Sequence, residues 1–156
     1  MDGALRQILL MVDEAYGGKS WHGTALRGSI RGVTPAEAAW RPGRGRHNIR
    51  EIVIHAAYWK YAVRRRLSGK KRGSFPLKGS NWFVRPGRGE ETTWAVEIAL
   101  LESEHALLRD AIGSLAEEEL RRRPGGSRFT LEGMLRGIAA HDLYHAGQIQ
   151  LIKRLM

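Results

Sequence analysis

The chain has 156 residues, 42% hydrophobic and 27% charged, with no cysteine and a formal charge of +10. That is enough chain for a single domain over residues 1–156 with a real core, and it excludes a disulfide framework, a thiolate zinc site and a cysteine nucleophile. No apolar run approaches the roughly 20 residues that cross a bilayer, and the first six residues do not form a signal peptide, so a cytoplasmic protein with no membrane partner is expected.

Residues 4–16 predict a first helix, with Ala4, Ile8, Met11, Val12 and Ala15 on one stripe and Gly17-Gly18 to end it. Leu26, Ile30 and Val33 suggest a short helical piece. Thr34-Pro35-Ala36-Glu37 is a helix start with a capping-box pattern, soon broken at Arg41-Pro42-Gly43. Asn48 and Glu51 repeat the pattern and open a second long helix, whose buried face holds Ile52, His55, Ala56, Trp59 and Leu67, with Arg64-Arg65-Arg66 toward solvent. Residues 69–90 form a long connection rich in Gly, Pro, Lys and Arg, and Phe75, Trp82 and Phe83 should anchor it. A third helix opens at Thr92 or Thr93, with Trp94, Ile98, Leu101, His105, Leu108 and Ile112 setting its period. Glu117 to Leu120 is a short turn or helix, and Thr130 caps a fourth long helix that runs to about Leu155. Four amphipathic helices and no convincing strand predict an all-α four-helix bundle, with long connections between helices 1 and 2 and helices 2 and 3.

The last helix carries His141-Asp142-Leu143-Tyr144-His145-Ala146-Gly147-Gln148-Ile149. Leu131, Leu135, Ile138, Asp142, His145, Ile149 and Ile152 share one stripe, with Met134, His141 and Gln148 on the next. Two histidines four residues apart on a core-facing stripe each need a partner, because an unpaired buried polar group costs on the order of 1–3 kcal/mol. One divalent metal satisfies both, and a catalytic metal takes three protein ligands with one position open. His55 is the third candidate. The competing reading is a hydrogen-bonded polar cluster in the core.

The sequence resembles the DinB-like and YfiT-like family of metalloenzymes over nearly its whole length. The resemblance is carried by Trp21-His22-Gly23, by the run from His47 to His55, by Trp59 and Leu67-Ser68-Gly69, and most specifically by the run from His141 to Ile149. It implies a four-helix bundle, commonly dimeric, with a divalent metal (zinc, nickel or iron) on His55, His141 and His145. Arg50 stands where relatives often have an apolar or aromatic residue.

The resemblance further implies a metal-dependent hydrolase, or a thiol-dependent S-transferase using a low-molecular-weight thiol, acting on a small molecule. Asp142, Gln148 and Glu51 are the catalytic candidates; Asp142 or Gln148 could hold the second nitrogen of a histidine or a metal-bound water, while Glu51 also fits a capping role. His22 and His47 precede helices and could reach a pocket mouth, and His105 lies on a core-facing stripe. Residues 27–88 hold 16 of the 26 Lys and Arg but only Glu37 and Glu51 among the acids, which makes +14 there and −4 elsewhere. Such asymmetry predicts an anionic partner. A small anion near Arg44, Arg46 and Arg50 is expected, not nucleic acid, since no nucleic-acid-binding motif is visible. The alternatives from other classes are a non-enzymatic basic nucleic-acid-binding protein and a metal-stabilised bundle. Gly133, Gly137, Ala140 and Gly147 give the last helix a small-residue side, where a homodimer could form.

Overall fold

The computed structural model describes residues 3–69, 73–85, 87 and 90–156. The regular structure among them is helical throughout. It comprises α1 (Ala4–Tyr16), α2 (Leu26–Ser29), α3 (Pro35–Ala39), α4 (Ile49–Leu67), α5 (Glu91–Gly113) and α6 (Leu131–Leu155), with a 3-10 helix at Glu117–Arg121. α4 packs on α5 and α6, and α1 packs on the same two, so the four long helices close a ring. The short α2 lies on α1 and α6, and α3 on α4 and α5.

Local chemistry sets the starts of α3, α4 and α6. The Thr34 hydroxyl accepts from the Glu37 N–H while Glu37 returns a bond to the Thr34 N–H, which satisfies two of the donors a helix start leaves open. Asn48 and Glu51 do the same for α4, and Thr130 caps α6 through the Gly133 N–H. α5 differs from expectation. It begins at Glu91, after Glu90, and no side chain caps it. Its start is fixed by tertiary structure instead: the buried Trp94 indole donates to the Val33 carbonyl at 2.9 Å.

The interior has an apolar core at each end. One joins Leu5, Ile8 and Val12 of α1 to Val63 and Leu67 of α4, Leu108 and Ile112 of α5, and Leu131, Leu135 and Ile138 of α6. The other joins Leu26 and Ile30 to Ile49, Ile52 and Val53 of α4, Trp94 and Leu101 of α5, and Ile149 and Ile152 of α6. Truncating any of these to Ala would cost about 2–5 kcal/mol. Between the cores, along each long helix, the sequence supplies polar groups: Tyr16, His55, Lys60, Glu104, His105, His141, Asp142 and His145. The polar layer lies at the middle of the bundle.

Ion pairs absorb much of the basic segment. Arg27 pairs with Glu102, Arg64 with Glu104, Arg41 with Glu51, and Arg85 with Glu97. Arg50, expected at a pocket mouth, is instead buried, with its guanidinium on Glu97 at 2.8 and 2.9 Å. An anion could reach it only by displacing a buried carboxylate. Arg64, expected toward solvent, is partly buried on Glu104. Lys70, Lys71, Arg72 and Arg88 lie outside the described residues.

Candidate metal centre

α4 places His55, and α6 places His141 and His145 one turn apart, facing the same gap. The Nε2 atoms of His55 and His141 stand 3.0 Å apart, and those of His145 and His141 3.1 Å apart. One ligating nitrogen from each residue falls within 4.8 Å of the other two. Two nitrogens held by one ion at about 2.1 Å, with an angle of 90–110°, stand about 3.0–3.4 Å apart, so the His55–His141 and His145–His141 separations match a shared divalent ion, and a small movement of the His55 or His145 ring brings the third nitrogen into range.

The second ring nitrogens decide which atoms are free to bind. His55 Nδ1 lies 2.8 Å from the Asn81 carbonyl oxygen, which can only accept, so Nδ1 carries the proton and Nε2 a lone pair. His145 Nδ1 lies 2.7 Å from the Gln148 side-chain oxygen, and the same assignment follows. Two Nε2 lone pairs therefore point at the Nε2 of His141, whose Nδ1 has no hydrogen-bond partner among the described residues. A single His141 proton can satisfy at most one of those lone pairs, whereas a cation satisfies all three nitrogens. Burial keeps the rings neutral: it lowers His141 to about 3 and His145 to about 4, and it lowers His55 as well, against the pull of the Asn81 carbonyl. All three are thus in the unprotonated form that metals require.

The connection between α4 and α5 builds one wall. Asn81 adopts φ 63°, a left-handed conformation that asparagine tolerates better than most residues. Its carbonyl holds His55, and its side-chain oxygen accepts from the Trp59 indole at 2.9 Å. Trp82 stacks on His55 at 3.8 Å and on His47 at 3.6 Å. His47 Nδ1 lies 3.0 Å from Glu51 Oε2, and among the described residues its Nε2 makes no hydrogen bond.

The catalytic candidates take separate places. Gln148 holds His145 and also donates to the Tyr144 hydroxyl. Glu51 is buried and makes hydrogen bonds with Arg41, His47 and the backbone of Asn48 and Arg85. Burial alone would raise its carboxyl, but these bonds prevail and bring it to about 2. Asp142 bonds to Lys60, and both side chains are fully buried. Burial pushes its carboxyl up and the Lys60 ammonium pulls it back. His105 stacks on Tyr16 at 3.6 Å, away from the three histidines, and His22 lines a separate surface cavity with Thr24 and Arg154. Sequence reasoning missed Asn81, Trp82 as a stacking partner, and Lys60. A lone asparagine between Gly79-Ser80 and an aromatic pair was the one signal for Asn81.

Two cavities open on the cluster. One, of about 230 Å³, is lined by Trp59, Val63, Met134, Ile138 and His141. The other, of about 570 Å³, is lined by Arg46, His47, Trp82, Tyr144, His145 and Gln148. The family model described as the DinB superfamily matches residues 20–149. No curated protein and no solved structure matches the chain significantly.

Proposed function

Since the chain belongs to the DinB superfamily, we propose that His55, His141 and His145 hold one divalent metal ion at the centre of a small-molecule enzyme. The observation that carries this reading is the set of three converging Nε2 atoms, two of which are fixed as lone-pair donors by their Nδ1 partners. An ion bound there would lower the pKa of a water or thiol that it holds.

The two cavities favour group transfer between two molecules over hydrolysis, since hydrolysis requires room for only one organic substrate. His141 lines one cavity and His145 the other. In this reading a low-molecular-weight thiol enters the larger, more polar cavity beside Arg46 and His47. Its sulfur forms a bond to an electrophilic carbon of the second substrate, and the leaving group departs with the bonding electrons. The thiol proton passes to His47 Nε2, while Glu51 fixes the ring by accepting from Nδ1 and stabilises the imidazolium. Gln148 orients His145, Asn81 orients His55, and Asp142 serves structure through its buried ion pair with Lys60.

Ion pairing of the basic residues argues against a nucleic-acid surface, which would need its cations free for phosphates. DNA binding is expected to be weak, independent of sequence, and lost between low and physiological salt. Metal analysis of protein purified without a histidine tag or added nickel tests the centre. Close to one ion per chain is expected, and close to none after His55→Ala, His141→Ala or His145→Ala. Turnover of an electrophile only when a thiol is present supports transfer. Equal turnover in water alone would establish a hydrolase, and full metal content without turnover of any electrophile would leave a metal-stabilised bundle.

A further inference from the structure

The smaller cavity has a chemistry of its own. Its walls are the indole of Trp59 and the side chains of Val63, Met134 and Ile138, and His141 closes its inner end. Gly133 and Gly137 form its floor on α6, and a Cβ built at Gly137 meets nothing within 4 Å. The missing side chains therefore leave open volume, not a seat for another helix within this chain. A cavity of about 150 Å³ with apolar walls holds a benzene molecule, so about 230 Å³ suits an apolar group of roughly six to ten carbons.

The outer end is basic. Arg66 and Phe129 line this cavity and also a second one of about 550 Å³, formed with Arg65, Arg128 and the turn Pro124-Gly125-Gly126-Ser127. Arg64 next in sequence is held by Glu104, but no carboxylate among the described residues pairs with Arg66 or Arg128. The cavity thus runs from a histidine, between apolar walls, to Arg66, and the adjoining cavity adds Arg128; neither guanidinium has a carboxylate partner among the described residues.

We infer that this cavity binds the second substrate, an organic anion with an apolar body of six to ten carbons and its carboxylate or phosphate head on Arg66 and Arg128. The apolar body reaches inward to His141, so the reacting carbon lies at the end remote from the anionic head. The inference rests on the two-substrate reading above for its role, but the binding site does not need the metal. Charge-assisted hydrogen bonds from guanidinium to carboxylate or phosphate fix which end faces outward.

Octanoate, octyl phosphate and 1-octanol, titrated into the metal-free protein by calorimetry, test it. Both anions should bind saturably, with Kd on the order of 0.1–1 mM, and 1-octanol about tenfold more weakly. Gly137→Phe fills the cavity and should abolish binding of all three, while Gly137→Ala, which leaves the volume open, should not. Arg66→Gln with Arg128→Gln should weaken the anions about tenfold and leave 1-octanol within twofold. Gly137→Leu serves if the phenylalanine variant does not fold. Unaltered octanoate binding in the filled variant, or no saturable binding below about 5 mM, overturns the inference. Zinc stoichiometry measured on the same variants reports on the histidines separately: zinc retained with octanoate lost supports the cavity, and zinc lost from wild type overturns only the metal reading.

Discussion

Replacing Asp142 by asparagine separates a structural carboxylate from a catalytic one. Asp142 is adjacent in sequence to His141, yet its carboxylate lies on Lys60, and both side chains are excluded from solvent. Removing the negative charge strands an ammonium group between two apolar cores. Breaking a buried pair on one side costs about 3–5 kcal/mol, because the remaining ion keeps its desolvation cost without its partner. For a chain of this length each kcal/mol moves the melting temperature by about 2–4 °C, so a fall of about 6–20 °C is expected. Lys60→Met combined with Asp142→Leu removes both charges and should recover most of the loss, leaving a coupling of about 3 kcal/mol in the double-mutant cycle. Urea denaturation gives the stabilities, and zinc stoichiometry is read at a temperature where every variant is folded. The double variant should still bind one ion. A wild-type melting temperature for Asp142→Asn, or a folded double variant that has lost its metal, would refute the structural assignment and return Asp142 to the site.

Three further outcomes are expected. Asn81→Gly keeps the carbonyl that holds His55 and suits φ 63°, so metal affinity should stay within about threefold, whereas Asn81→Val forces a β-branched residue into that conformation and should cost about 1–2 kcal/mol by chemical denaturation. Burial lowers His105 to about 3, so the folded protein refuses a proton that the unfolded chain takes below about pH 6.5; stability should fall as pH drops from 6.5 toward 3, by about 2 kcal/mol at pH 5, and His105→Phe should remove that part of the slope in pH-dependent urea melts. A homodimer is expected by light scattering at micromolar concentration, and a monomer at all concentrations would exclude it.

The helices and the three histidines were legible because their signals are local. An apolar period of 3.6 and the Thr34 and Asn48 capping boxes need only a few neighbouring residues, and His141 and His145 face one way on any helix. The buried partners were not legible. Lys60 lies beside the apolar stripe of α4, where a lysine ordinarily reaches solvent, and only Asp142, 82 residues later, makes its burial tolerable. Glu97 and Glu104 carry no local signal of burial, yet each meets an arginine of α4. Arg50 was misplaced for the same reason. Asn81 and Trp82 lie in an irregular segment without periodicity, so only the fold could bring them onto His55. The small-residue side of α6 signalled missing volume, and sequence does not say whether a helix fills that volume or a cavity remains.

The placement of the polar layer explains how so costly a set of buried groups helps the site. His55 to His141, Lys60 to Asp142, and Arg64 to Glu104 tie α4 to its neighbouring helices at successive turns. Apolar cores tolerate rearrangement because contacts between hydrocarbons are not directional. A slide of α4 by one helical turn, about 5.4 Å, could preserve much of the apolar burial, but it would break all three polar links at once and leave buried charges unpaired. The alternative registers are therefore penalised by several kcal/mol each, while the native one is not. Three imidazoles must converge within a few tenths of an ångström to share one ion, a tolerance hydrophobic packing alone does not set. The histidines inherit that precision from Lys60, Asp142, Arg64 and Glu104, none of which belongs to the three-histidine ligand set.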